Sequence, residues 1–140
     1  MILWFAGGAC VLVWLVFSDP RIDYRIVVAG ALLPDLPGRL TPLHSMTACI
    51  AVLVVVMLAT RRGSPRRRRA LALPIGMLLH LVLDGMWAQG DVFWWPFTDA
   101  SFEQSLPSLE RPLSWLLLQE FAGLLGLLWW RRQMVEARAA

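Results

Sequence analysis

Apolar residues in this sequence fall into four long blocks that are separated by polar, turn-rich segments. The blocks cover residues 2–17, 43–60, 70–88 and 113–130. A helix of about 20 apolar residues spans the hydrocarbon core of a bilayer. The blocks are apolar throughout rather than along one stripe, which is typical of membrane-spanning helices. The pattern therefore predicts four transmembrane helices within a single domain that covers residues 1–140.

A fifth apolar segment, IVVAGALL at residues 26–33, is too short to span a bilayer. Pro34 follows it, and a proline disfavours the helical conformation of the residue before it. We therefore expect a short helix that lies at the membrane interface or packs among the others. The predicted fold class is all-α: an integral membrane bundle of four transmembrane helices plus one short interfacial or buried helix.

Composition and charge agree with a multi-pass protein of the cell membrane. Hydrophobic residues make up 58% of the chain, against about 45–50% in soluble domains. All thirteen basic residues are arginines, of which six lie in residues 61–69 and three follow Trp130. Arginine-rich loops face the cytoplasm, and this orientation, with contact to anionic lipid, accounts for the run more simply than nucleic-acid binding. Alternating spans then place both termini in the cytoplasm, unless residues 26–33 cross the bilayer and move the N-terminus to the other side.

Five polar residues stand out against this apolar background. His80 and Asp84 are one helical turn apart in the third block, and Glu120 lies two turns into the fourth. A charged side chain at the centre of a spanning helix costs about 2.5–3.5 kcal/mol on the insertion scale, so such residues face a partner, a cavity or an ion. His44 opens the second block, and Asp35 lies in the loop before it. We expect the five to converge in the outer half of the bundle.

Imidazole and carboxylate groups together suit Zn²⁺, Mn²⁺ or Fe²⁺. A bound ion would also neutralise the buried carboxylates. The spacing of His80 and Asp84 alone equally fits a hydrogen-bonded pair that holds helices together. Glu120 could likewise pair with an arginine or with His80 rather than with an ion.

Four short motifs extend these observations. They read GALLPD at residues 30–35, LHS at 43–45, GMLLHLVLD at 76–84 and FWWPF at 93–97. In this order and spacing the chain resembles the predicted membrane-bound metal-dependent hydrolases, the YdjM-like proteins. The resemblance implies a fold like that of zinc-dependent phospholipase C and a divalent metal, most simply zinc, near the membrane surface. It also implies hydrolysis of an ester or phosphoester bond.

Carried over by position, the resemblance implies that Asp35, His44, His80 and Asp84 are the metal ligands. With Glu120 or Asp35 as general base, the predicted function is hydrolysis of a lipid or lipid-linked substrate at the outer face of the membrane. Many family members have further ligands after the P-D pair, where this chain has Pro37 and Gly38, so one metal is the most that the ligands support.

The alternative is a non-catalytic, degenerate family member. In that case the His/Asp cluster is structural and fixes helix register in a membrane scaffold or partner subunit. The FWWPF segment, otherwise an aromatic belt at the outer interface, would then be a docking surface for a partner protein or for a second copy of the chain.

Overall fold

A computed structural model describes residues 1–36, 41–99, 102 and 111–139 of this chain, and they contain helices and turns but no strand. Parts of the predicted loops at 34–42 and 89–112, including Pro37 and Gly38, lie outside the described residues. The helices are α1 (Ile2–Phe17), α2 (Tyr24–Leu32), α3 (Met46–Ala59), α4 (Pro65–Asp84), α5 (Gly90–Phe93) and α6 (Leu113–Ala139). Two 3₁₀ turns, Pro42–His44 and Met86–Ala88, flank α3 and α5. The all-α prediction is confirmed.

Helix α4 differs from the predicted span at 70–88 at both ends. It begins at Pro65, because the Ser64 hydroxyl accepts a hydrogen bond from the Arg67 N–H at 3.2 Å and proline is favoured in the first turn. It ends at Gly85, whose φ of 74° is the left-handed conformation that terminates helices. Pro74 therefore lies inside the helix.

By length and apolar composition, only α6 among the described helices is a clear candidate to cross a membrane. Helices α1 and α3 are apolar but have 16 and 14 residues, and α4 opens with four arginines. Large apolar side chains nevertheless cover the outer surfaces of α3 and α6, among them Leu58, Val55 and Phe121. The structure thus supports a membrane protein, while the number of spans remains a prediction.

Helices α1 and α6 run parallel in close contact. Gly7 and Gly123 face each other so closely that a Cβ at either position would fall on backbone atoms of the other helix. At one end of this pair, the Leu3 N–H donates a hydrogen bond to Glu120 at 2.8 Å. Past its other end, Tyr24 stacks on Trp130, with ring centroids 4.9 Å apart. The first and last helices of the bundle therefore point in the same direction.

The short helix α2 packs along α4, also in parallel. Glycines again set the distance: a Cβ on Gly30 would meet the Leu73 carbonyl, and one on Gly76 would meet the Val27 carbonyl. Helix α2 has nine residues and its inner face is buried, so the prediction of a short helix packed among the others is confirmed. At about 1.5 Å per residue it is about 14 Å long, roughly half the hydrocarbon thickness of a bilayer.

The bundle consequently has two unlike ends. We call the end that carries Met1, His44, His80, Asp84 and Glu120 the histidine end. The opposite end, where α1 finishes, α2 and α4 begin and α6 finishes, is the arginine end. It carries eleven of the thirteen arginines: Arg21, Arg25, Arg61, Arg62, Arg66, Arg67, Arg68, Arg69, Arg131, Arg132 and Arg138.

The two ends of the described chain lie at opposite ends of the bundle, whereas alternating spans place both on the same side; the topology across the membrane stays a prediction. Met1 lies beside Glu120 at the histidine end, whereas Arg138, near the end of α6, lines a pocket with Arg21 and Arg69 at the arginine end. The cause is α2, which carries the chain from the arginine end toward the histidine end before α3 begins. The loop after α1 accordingly lies beside residues 61–69, and not on the opposite side as alternating spans predicted.

Candidate metal site

Asp35, His44 and His80 form the centre of the histidine end. Each offers one ligand atom, and these atoms all lie within 4.8 Å of one another. Asp35 Oδ1 is 3.4 Å from His44 Nε2 and 3.6 Å from His80 Nε2. Both histidine side chains are fully buried, while the Asp35 side chain is 20% exposed. The cluster therefore opens to the surface at Asp35.

His80 is held by a hydrogen bond at the edge of its ring and by an aromatic ring packed against it. Its Nδ1–H donates a hydrogen bond to the Ala31 carbonyl at 2.8 Å, which becomes possible because α2 and α4 touch at Gly76. The Phe5 ring packs against the imidazole with centroids 4.2 Å apart. With the proton on Nδ1, Nε2 carries a lone pair toward Asp35 and has no hydrogen-bond partner among the described residues. A buried acceptor without a partner is unfavourable unless a proton or a cation lies there.

His44 closes the 3₁₀ turn that precedes α3. Its Nδ1 lies 3.4 Å from both the backbone nitrogen and the hydroxyl of Thr41. Thr41 thus offers a donor and an acceptor to the same ring nitrogen, so it can serve either neutral tautomer. In one tautomer His44 donates to Asp35 through Nε2, and in the other Nε2 is free to bind a cation.

Asp35 follows α2 and supplies the negative charge of the cluster. Burial raises the pKa of its carboxyl, but the hydrogen bond from His44 and the nearby imidazole of His80 outweigh this, and the pKa lies below its ordinary value. A deprotonated carboxylate is the form that metal binding requires.

Two of the three separations match those of zinc ligands, while the third, between the ligand nitrogens of His44 and His80, is within 4.8 Å. Two atoms that are each about 2.1 Å from a tetrahedral zinc ion lie about 3.4 Å apart. The Asp35–His44 and Asp35–His80 distances of 3.4 and 3.6 Å have this value within a few tenths of an ångström. Two imidazoles and one carboxylate are also a donor set that zinc accepts while leaving one position for a water molecule. The residues present therefore fit one divalent ion.

Asp84, predicted as the fourth ligand, is instead engaged by Arg111. The Arg111 Nη2 lies 3.4 Å from Asp84 Oδ1 and donates to the Asp84 carbonyl at 2.9 Å, while Nη1 donates to Gln119 at 3.3 Å. The other carboxylate oxygen, Oδ2, is buried and has no partner among the described residues. The structure keeps Asp84 one turn from His80 but outside the three-residue group.

Glu120, predicted as a general base, lies at the start of α1. Its Oε2 accepts the Leu3 N–H at 2.8 Å and its Oε1 lies 3.5 Å from the Met1 ammonium group. A carboxylate at a helix N-terminus satisfies backbone donors that have no partner within the helix. This position accounts for a charged residue in α6 without any role in chemistry.

Sequence reasoning missed three of the groups that shape the site. The Ala31 carbonyl carries no signal in a sequence, because every residue has one. Phe5 belongs to an apolar block in which nothing distinguishes it. Arg111 lies two residues before α6 and is visible in the sequence, but a contact with Asp84 across 27 residues does not follow from spacing.

A family model described as YdjM inner membrane protein matches residues 4–140. The chain belongs to the YdjM inner membrane protein family. That membership and the apolar helix α6 agree on a membrane location. No protein of curated function and no solved structure matches the chain significantly. The YdjM description names a location and no activity, so the activity must be argued from the site.

Proposed function

We propose that this YdjM-family protein binds one divalent metal ion through Asp35, His44 and His80 and hydrolyses an ester or phosphoester of a membrane lipid or lipid-linked substrate. The observation that carries the proposal is Nε2 of His80, which is buried 3.6 Å from the Asp35 carboxylate and has no hydrogen-bond partner among the described residues. A divalent ion, most simply zinc, supplies a Lewis acid and acidifies a water molecule when it is bound. Three protein ligands leave the open position that catalytic zinc sites have.

In this proposal, the residues around the three metal ligands accept a proton or orient the ligands. Asp84 Oδ2, buried and without a hydrogen-bond partner among the described residues, is the group we assign to accept a proton from the attacking water. Arg111 holds the other side of that carboxylate and orients it. Thr41 and Ala31 orient the two imidazoles through their Nδ1 atoms, as outer hydrogen-bond partners do in metal sites. Glu120 has no part in this scheme.

The orientation follows from the two ends of the bundle. With the arginine end in the cytoplasm, the histidine end faces outward and the chain has an outer N-terminus and a cytoplasmic C-terminus. His80 is the sixteenth residue of α4, so it lies about 22 Å from the arginine end, in the outer half of the bilayer. The exposed rings of Trp94 and Phe97 follow α4 at the same end, where aromatic side chains favour the interface. A lipid headgroup is the substrate that meets such a site.

The test is hydrolysis by the purified protein in detergent. We expect zinc or manganese to support cleavage of a phospholipid or of a soluble phosphodiester, EDTA to abolish it, and His80→Ala to be inactive. Asp91→Asn removes an exposed carboxylate outside the cluster and is the matched control, with wild-type activity. A wild-type protein that holds its metal but cleaves no ester across a broad lipid and phosphodiester panel would contradict the proposed reaction.

A structural role for the cluster is the second candidate. It is favoured by the His44–Asp35 contact of 3.4 Å, which is a hydrogen bond that needs no ion. In that case the purified protein contains no metal, His80→Ala lowers stability, and added zinc does not restore it.

A further inference from the structure

A groove at the arginine end lies outside the site described above. It has a volume of about 430 Å³ and is bounded by α1, α2 and α4, with Val13, Phe17 and Leu71 among its apolar walls. Arg21 and Arg68 stand at its mouth. The same two arginines line an adjoining polar pocket of about 250 Å³. The apolar groove and the basic pocket are therefore neighbours that share two lining side chains.

The basic pocket is lined by three arginines and by one aspartate, Asp23. Arg21, Arg68 and Arg69 line it, and none of them has a carboxylate within 4.0 Å in the part of the chain that the structure describes. Two aspartates lie nearby. Asp19 accepts the Arg21 backbone N–H at 2.8 Å, and Asp23 precedes the first turn of α2. The neighbouring surface adds Arg25 and Arg138, so five arginines face two aspartates.

We infer that this groove binds one anionic phospholipid from the leaflet at the arginine end. The phosphate lies against Arg21 and Arg68, because guanidinium groups bind phosphate oxygens with paired, charge-assisted hydrogen bonds. One acyl chain follows the apolar walls formed by Val13, Phe17 and Leu71. Basic pockets between transmembrane helices on the cytoplasmic side are known to select anionic headgroups. A zwitterionic lipid fills the same channel but gains less from the arginines.

Binding here would stabilise the packing of α1. The groove is the place where α1 separates from α4, and further along the same helix Phe5 packs against His80. A lipid that fills the groove therefore holds together the helices that carry the histidine end. The inference does not depend on hydrolysis, since it concerns the opposite end of the bundle.

The experiment compares lipids on delipidated protein in a neutral detergent. Phosphatidylglycerol should raise the melting temperature by about 4 °C or more at saturation, and phosphatidylcholine with the same acyl chains should raise it clearly less. Native mass spectrometry should retain one phosphatidylglycerol per chain. The variant R21Q/R68Q should bind it roughly tenfold to thirtyfold more weakly, from about 1 kcal/mol for each arginine near the surface. The variant R61Q/R62Q, with the same loss of charge in the same region but outside the groove, should bind like the wild type.

Three outcomes would overturn the inference. Equal shifts in melting temperature with the two lipids would show that the groove does not distinguish their headgroups. Equal losses in the two double variants would show a diffuse charge effect. A full shift with inorganic phosphate alone would show a free-anion site without an acyl chain. If R21Q/R68Q does not fold, Leu71→Trp blocks the channel and keeps every arginine; undiminished lipid binding in that variant would also overturn the inference.

Discussion

His80 donates its Nδ1 hydrogen to the carbonyl oxygen of Ala31 across 2.8 Å, and this bond decides which imidazole nitrogen faces Asp35. It links the last turn of the short helix α2 to the C-terminal third of α4. The bond exists only because Gly30 and Gly76 let the two backbones touch. The geometry of the candidate metal site is therefore set by a glycine contact one turn away from it.

Gly76→Ala should separate these two helices. A Cβ at this position would overlap the Val27 carbonyl and the Ala31 nitrogen, both backbone atoms that cannot rotate away. We expect a loss of about 1–3 kcal/mol in the free energy of unfolding, as for other overpacked sites, together with weaker zinc binding. Thermal or chemical unfolding and a zinc titration measure the two effects.

The matched control for that variant is Gly90→Ala. Gly90 has no atom within 4 Å of the position of its missing Cβ, and we expect stability to change by about 0.5 kcal/mol or less. Equal behaviour of the two variants would show that the glycine contact does not position His80.

Asp84→Asn should separate metal binding from chemistry. Because Arg111 holds Asp84 outside the three-residue group, zinc affinity should change by about threefold or less, while hydrolysis falls by about 10²-fold or more through loss of a proton acceptor. Asp35→Asn should lose both properties. The measurements are a competitive zinc titration and the hydrolysis rate. A loss of zinc from Asp84→Asn equal to that from Asp35→Asn would restore Asp84 to the ligand set.

Glu120→Gln should weaken the fold and leave the metal in place. The substitution removes the charge from a hydrogen bond to the first turn of α1, and bonds to charged groups contribute about 1.5–3 kcal/mol. We expect a loss of about 1 kcal/mol in unfolding free energy with unchanged zinc affinity. Glu136→Gln, on the exposed far end of the same helix, should be neutral. A Glu120→Gln variant of full stability but with no hydrolysis would instead support Glu120 as the general base.

Cysteine labelling tests the two ends of the bundle. The native Cys10 and Cys49 are buried and can be replaced by alanine, after which single cysteines are introduced at Ser18, Arg62 or Ser114. In cells whose outer barrier has been permeabilised but which are otherwise intact, we expect a membrane-impermeant maleimide to label Ser114→Cys. Ser18→Cys and Arg62→Cys should be labelled only after lysis. Labelling of Ser18→Cys from outside would support alternating spans instead, with both termini in the cytoplasm.

The sequence predicts the cluster better than it predicts the path of the chain. Asp35, His44 and His80 could be named in advance because charged or imidazole groups beside apolar blocks are unfavourable without a partner. The types and order of these residues were sufficient to name them, although the three residues lie on separate structural elements. The role of Asp84 could not be predicted, since the same spacing allows a metal ligand or a partner for Arg111.

The start of α4 was predictable from a signal that hydropathy obscures. Ser64 followed by Pro65 is a helix-start pattern, yet the four arginines after it suggest a loop. The path of the chain was harder to predict, because α2 is too short to count as a span but long enough to return the chain toward the histidine end of the bundle. Whether a nine-residue helix lies on the surface or enters the bundle depends on its packing against Gly76, which hydropathy does not record.

Metal content tests the central claim most directly. Purified wild-type protein, analysed for bound metals after zinc loading and removal of excess, should contain about one zinc per chain. His80→Ala and Asp35→Asn should contain almost none, and Asp91→Asn should match the wild type. Wild-type protein that folds but retains no divalent metal, or His80→Ala that retains as much as the wild type, would contradict a metal site at Asp35, His44 and His80.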